Sequence, residues 1–262
     1  MSKGERSLPP ATQGGRPWAE AVFHVLAHVP TRVAASLWDQ EYVRRCAETL
    51  GSAAHRPLGE DARVLARLLD DHEVLARVQL LAWLFVEVGR ARSVALVDLA
   101  ALSPDAVDAP ELLPALRRAG DAVEILRCAV ELEAPLLARL PRVKVDVEPV
   151  EVELRRVRRA APALARFTIR LLAPLRRRGR VRGDEIWVGV PGSGLTIEHV
   201  AWQAAHEATV AELSALGDRS EREVEHAALD TLRDRARAVG LEAEHAVWFS
   251  HLDHAGGRRS GT

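Results

Sequence analysis

Aromatic side chains are scarce in this chain: six Trp, four Phe and one Tyr make only 4% of its 262 residues. A core with so few rings has to come from Leu, Val and Ala, of which Leu and Ala favour helices. The same scarcity argues against binding single-stranded nucleic acid, which needs rings on which bases can stack. Lysine is nearly absent, with only Lys3 and Lys144, so the basic residues are almost all Arg and reflect a GC-rich coding bias. There are two cysteines, Cys46 and Cys128, far apart and matching no zinc or redox spacing. Such a pair reads as buried thiols in a reducing compartment. No sign of charge dominates: the formal net charge is -1, so no overall field draws the chain to nucleic acid or to an anionic membrane. Long apolar runs are missing too. The longest, Leu80 to Val86, is far too short to span a bilayer. The first residues, MSKGERSLPPATQGGRPW, hold no apolar segment of the secretory type. These absences lead to the expectation of a cytoplasmic protein of ordinary globular composition, with 48% hydrophobic and 28% charged residues.

What is present organises into an α+β chain, predominantly α-helical. Residues 1–16 and 255–262 are expected to be disordered arms, rich in Gly, Pro, Ser and Arg. Residues 17–140 read as a helical bundle. Its first helix carries Trp18, Ala21, Val22, Val25, Leu26 and Val29 at helical spacing and ends before Pro30. A second holds Tyr42, Val43, Cys46 and Leu50, with Asp39 as its cap and Gly51 as its stop. Further helices are expected at about 59–69, 73–88 (the most apolar, hence central), 110–118 and 122–134. Residues 141–254 read as an α+β part. Val143, Val145 and Val147 alternate with charged residues, and Val150 and Val152 follow, a period of two that predicts a strand. The segment from Phe167 to Leu172 fits strand or helix. Gly183-Asp184 reads as a turn into the apolar run Ile186 to Val190, after which the chain is helical at 198–216 and from Ser220 to Val239.

The helix at 198–216, EHVAWQAAHEATVAEL and its continuation, carries the chemistry. His199, Gln203 and His206 fall at i, i+4 and i+7 on one stripe, with Glu207 on its flank. Histidines so spaced can aim two imidazoles at one ion, and a neighbouring carboxylate stands where a general base would act on metal-bound water. His24 and His28 form a second i, i+4 pair on the first helix. Two such pairs on separate helices can build a site without a contiguous motif. His24, His28, His199 and His206 are therefore the candidate metal ligands, for zinc or iron, and Glu207 the candidate catalytic residue. Glu221 and Glu225 are candidates to complete the site from the next helix. His251 and His254 read as a solvated helix end, and His55, His72 and His245 as lone surface residues.

The run Ile186 to Val190 followed by His206-Glu207 resembles the zinc metallopeptidases of the HExxH type over about twenty-five residues. The resemblance implies His206 as a zinc ligand and Glu207 as the base that activates water. The chain departs from that motif where the second histidine belongs, because Val210 stands there.

A second reading starts from the eleven arginines between Arg155 and Arg182, a stretch with no acidic residue. Arg176, Arg177 and Arg178 could meet a protein or another anionic partner, or the block could pair with Asp146, Glu148, Glu151 and Glu153 just before it. The leading expectation is a metal-binding protein, as an enzyme a hydrolase on a small-molecule or peptide substrate, with iron-dependent oxygen chemistry open to the same ligands. The alternative is a non-catalytic helical interaction protein using the segment 155–182.

Overall fold

The computed structural model describes residues 12–13, 17–29, 38–51, 66–67, 145–176, 179–192, 195–216 and 220–255. The chain divides into two compact units, one formed by Met1–Gly15 with Val143–Thr262 and the other by Arg16–Arg142. The helices expected at 73–88, 110–118 and 122–134 lie outside the described residues, as do His55, His72 and Cys128; of 59–69 only the helical Ala66 and Arg67 fall within them.

In the unit Arg16–Arg142, helix α1 spans Pro17–His28 and helix α2 spans Gln40–Leu50. The start of α2 follows from local chemistry: the Asp39 side chain accepts from the Glu41 N–H, satisfying one of the orphan amides of the first turn. Gly51 ends the helix at φ 57, a left-handed value that side chains with a Cβ disfavour. Tyr42, Cys46 and Leu50 recur every fourth residue and are buried, which gives α2 one apolar face. On α1, Phe23, His24, Val25, Leu26 and Ala27 are buried. Phe23 packs on Trp38 with ring centroids 6.1 Å apart.

The other unit begins with helix α3, Val147–Val157. This corrects the strand expected from the alternating valines. Asp146 caps the helix through the Glu148 N–H, Pro149 falls in the first turn where its missing N–H has no intrahelical partner to lose, and Val150, Leu154 and Val157 form a buried stripe. Val152, the residue that fitted the period of two, is 52% exposed. Burial of three aliphatic side chains, about 1.5–3 kcal/mol each, outweighs the modest helix aversion of valine.

A 3-10 turn at Pro162–Arg166 leads to a four-stranded sheet. Its strands are β1 Thr12–Gln13, β2 Thr168–Leu172, β3 Arg180–Arg182 and β4 Glu185–Gly189, in the order β1-β2-β4-β3. β1 and β4 run parallel to β2, while β3 pairs antiparallel with β4 through the turn at Gly183-Asp184, where Gly183 takes φ 55. Thr12 and Gln13, expected in a disordered arm, are thus an edge strand. β4 is buried along its whole length, as suits a strand flanked on both sides. Its one charge, Glu185, is met diagonally across the ladder by Arg170 at 2.8 Å.

Three helices complete the unit: α4 Ile197–Ser214, α5 Glu221–Ala238 and α6 Glu242–Ala255. Thr196 caps α4 by accepting from the His199 N–H, and Ser220 with Glu223 forms a capping box on α5. α4 is the central helix, packing on α3, α5, α6, β3, β4 and the 3-10 turn. Its many alanines (Ala201, Ala204, Ala205 and Ala208 are all fully buried) let neighbours approach on several sides. The described residues are thus mainly helical with one small sheet whose last chain segment leads into α4.

Candidate metal centre

Two helices that each present an i, i+4 pair can bring four side chains to one place, and α1 and α2 do this. His24 and His28 lie one turn apart on α1, ring centroids 4.3 Å apart and planes tilted by 44°. Tyr42 and Cys46 are one turn apart on α2. The Tyr42 hydroxyl lies 2.8 Å from His24 Nδ1 with its ring edge-on at 85°. His24, His28 and Cys46 each offer a ligand atom, and the three atoms lie within 4.8 Å of one another. On a tetrahedral zinc with bonds of about 2.0–2.3 Å, ligand atoms stand roughly 3.3–3.6 Å apart. Side-chain adjustments of about an ångström therefore close this group on an ion. Among the described residues it is the grouping of three His, Cys, Asp or Glu ligands with that reach.

The hydrogen bonds fix which nitrogens are available. His28 Nδ1 is 2.8 Å from the His24 carbonyl oxygen. A carbonyl only accepts, so Nδ1 carries the proton and Nε2 holds the lone pair. His24 and Cys46 are 1% and 2% exposed, so a charge there is sheltered from water. The sequence signalled the histidine pair but not Cys46. Its only local trace was a place on the apolar stripe of α2, four residues after Tyr42.

The remaining predicted ligands belong to the other unit, and each unit is described by itself. His199 and His206 share one stripe of α4 but meet different neighbours. His199 Nδ1 is 2.8 Å from Thr196 Oγ1, and its ring lies edge-on to His251 at 4.4 Å. Burial, then electrostatic repulsion from His251, push the His199 pKa down against the opposing pull of Glu198. His206 sits between two carboxylates, with Nδ1 3.8 Å from Glu207 Oε1 and Nε2 3.8 Å from Glu225 Oε2, and its ring rests on Trp248. Glu225 reaches His206 from α5. The side chain of Glu221 is outside the described set. Gln203 is buried between the two histidines.

Glu207 accepts a hydrogen bond from the Gly179 N–H at 3.1 Å. The contact is close: a Cβ at Gly179 would stand 2.5 Å from Glu207 Cγ, so an alanine there would have to push the Glu207 side chain aside. The carboxylate named as a general base therefore anchors the entry to β3. Val210, in place of a second motif histidine, is half-buried on the same helix.

His245, expected at the surface, is only 3% exposed. It packs edge-on against Trp202 and between Trp248 and Phe249, which the sequence could not show because those rings come from two helices. Burial first, then Arg233 and His206, lower its pKa. The Nε2 atoms of His206 and His245 and the Trp202 Nε1 are buried with no hydrogen-bond partner among the described residues. His251 is exposed at the end of α6, as expected.

Three arginines of the block pair within their own unit. Arg156 joins α3 to α6 by pairing with Glu153 at 2.7 Å and Glu244 at 2.9 Å. Arg159 donates to the Val239 carbonyl and Arg170 pairs with Glu185. Of the three arginines expected to meet a partner, Arg176 is half-buried, and Arg177 and Arg178 lie outside the described residues.

No protein-family model, no curated protein and no solved structure matches this chain. The site's own chemistry therefore has to carry the functional reading. No helix among the described residues is long and apolar enough to cross a membrane.

Proposed function

We propose that this chain is a metal-binding protein whose ion lies between α1 and α2, held by His24, His28 and Cys46. The observation that supports it is the approach of three ligand atoms to within 4.8 Å in a buried place. Two imidazoles and a thiolate form a borderline-to-soft donor set, which favours zinc or iron over calcium or magnesium. Three protein ligands leave a fourth position for water, as catalytic zinc sites do, and such a water ionises near neutral pH. A hydrolase on a small-molecule or peptide substrate is the enzymatic form of this reading. In the alternative placement of the ion, on α4, His199 and His206 are the candidate ligands and Glu207 the candidate base, although the bond from Gly179 gives Glu207 a sufficient reason to be a carboxylate without any metal. The interaction reading through Arg176, Arg177 and Arg178 is weakened by the internal pairing of Arg156, Arg159 and Arg170.

The test is elemental analysis of the purified full-length chain after loading with zinc or iron. About one equivalent is expected in the wild type, lost in both Cys46→Ala and His24→Ala and kept in His206→Ala. Protein that stays folded but takes up neither metal overturns the proposal. Loss of the ion in His206→Ala would move the site to α4.

A further inference from the structure

We infer that Tyr42 is a positioning residue of the metal centre: its hydroxyl holds the His24 ring so that Nδ1 carries the proton and Nε2 faces the ion. The inference rests on the proposed metal binding by His24, His28 and Cys46.

A neutral imidazole has one protonated and one lone-pair nitrogen, and a metal can take only the latter. Which nitrogen that is depends on what the other one meets. For His28 the question is settled by the His24 carbonyl, which requires a proton on Nδ1. For the His24 ring the neighbour at Nδ1 is the Tyr42 oxygen, 2.8 Å away. A phenol oxygen accepts as well as donates, so a cation drawn to Nε2 fixes the bond as Nδ1–H donating to Tyr42. Both rings then carry the same tautomer, and both lone pairs belong to Nε2. Those two Nε2 atoms are fully buried. The geometry adds a second argument. Tyr42 is the residue one helical turn before Cys46, so the side chain that orients one ligand and the side chain that supplies another are carried by the same face of α2. Tyr42 is 9% exposed and His24 1%, so water is a poor substitute for the hydroxyl.

Cobalt(II) serves as the probe, added to the full-length chain, because thiolate ligation gives it a near-ultraviolet charge-transfer band that reports Cys46. Zinc affinity is then measured by competition with a chelator. Tyr42→Phe fills the same space and is expected to bind about 10–100-fold more weakly. Its cobalt spectrum should keep the wild-type shape at saturation, and its metal uptake should need a higher pH. A purely packing role for Tyr42 would leave that pH midpoint in place. In the zinc-loaded wild type, nitrogen-15 NMR should show His24 protonated at Nδ1 and metallated at Nε2, a readout that does not depend on the variant folding. Undiminished affinity in Tyr42→Phe, metallation of His24 at Nδ1, or a changed cobalt spectrum that marks Tyr42 itself as a ligand would each overturn the inference while leaving metal binding intact. Absence of cobalt uptake by the wild type would instead remove the metal reading and this inference with it, and uptake without the charge-transfer band would remove the site that contains Cys46.

Discussion

Glu207 offers the sharpest separation of a structural from a catalytic role. In Glu207→Ala the Gly179 N–H, which now donates to a carboxylate oxygen at 3.1 Å, is left buried without that acceptor. Net hydrogen bonds to charged groups contribute about 1.5–3 kcal/mol. For a unit of this size that corresponds to a fall in melting temperature of about 5–10 °C. Gly179→Ala attacks the same contact from the other side. The new Cβ would stand 2.5 Å from Glu207 Cγ, 3.0 Å from its Cδ and 3.1 Å from the Trp187 carbonyl oxygen. Overpacking of this kind costs about 1–3 kcal/mol. The two changes should not add. Once Glu207 is alanine, the Cγ and Cδ contacts vanish and only the tight approach to Trp187 remains. The double variant should therefore be more stable than the sum of the singles predicts, by about 1–2 kcal/mol. Urea denaturation followed by circular dichroism measures all four corners of the cycle. Glu207→Gln keeps an acceptor oxygen and should hold most of the stability, while destroying any general base. Strict additivity, or a Glu207→Ala protein as stable as wild type, would refute the structural account of this carboxylate.

Two further outcomes follow from single positions. Gly189→Ala should be more damaging than Gly179→Ala, because its Cβ would collide with the Leu175 carbonyl, which is backbone, and stand 2.7 Å from Leu195 Cδ1; a loss of about 3 kcal/mol or more by denaturant melt is expected, and a neutral result would mean that the turn after β2 yields freely. His199 and His245 are both held below the ordinary value of 6.5, mainly by burial. The unfolded chain then protonates these rings first, so stability is full above about pH 6.5 and falls with pH down to the folded values. His245→Gln should flatten that fall between pH 7 and 5, and an unchanged slope would show that other groups govern it.

Sequence signals told most where the chemistry is local. Asp39 and Gly51 bound α2 as expected, because a cap needs only its own turn. The run at Ile186 became the strand β4, and the stripe that follows became α4. Period alone misled at 147–157: Val143, Val145 and Val147 at every second position, with Val150 and Val152 after them, looked like a strand, yet the Asp146 cap and the stripe Val150, Leu154, Val157 make a helix. Thr168–Leu172 stayed ambiguous because its strand state is decided by pairing with β1 and β4, far off in sequence or after a turn. The candidate site divides the same way. His24 and His28 face together by spacing, whereas Cys46 joins them only through the meeting of two helices. His245 looked like a surface residue until the rings of Trp202 and Trp248 closed around it.

The parallel pairing of β1 with β2 sets the order in which this chain can be finished. Thr12 and Gln13 are made before their partner, which follows only after about 150 further residues, on the order of 10–30 s later at ordinary rates of synthesis. During that interval the unit Arg16–Arg142 is available to fold first, and Thr12 and Gln13 must wait. A nascent chain stalled before Thr168 would still hold Thr12 and Gln13 unpaired with β2, open to proteases that the completed sheet would exclude.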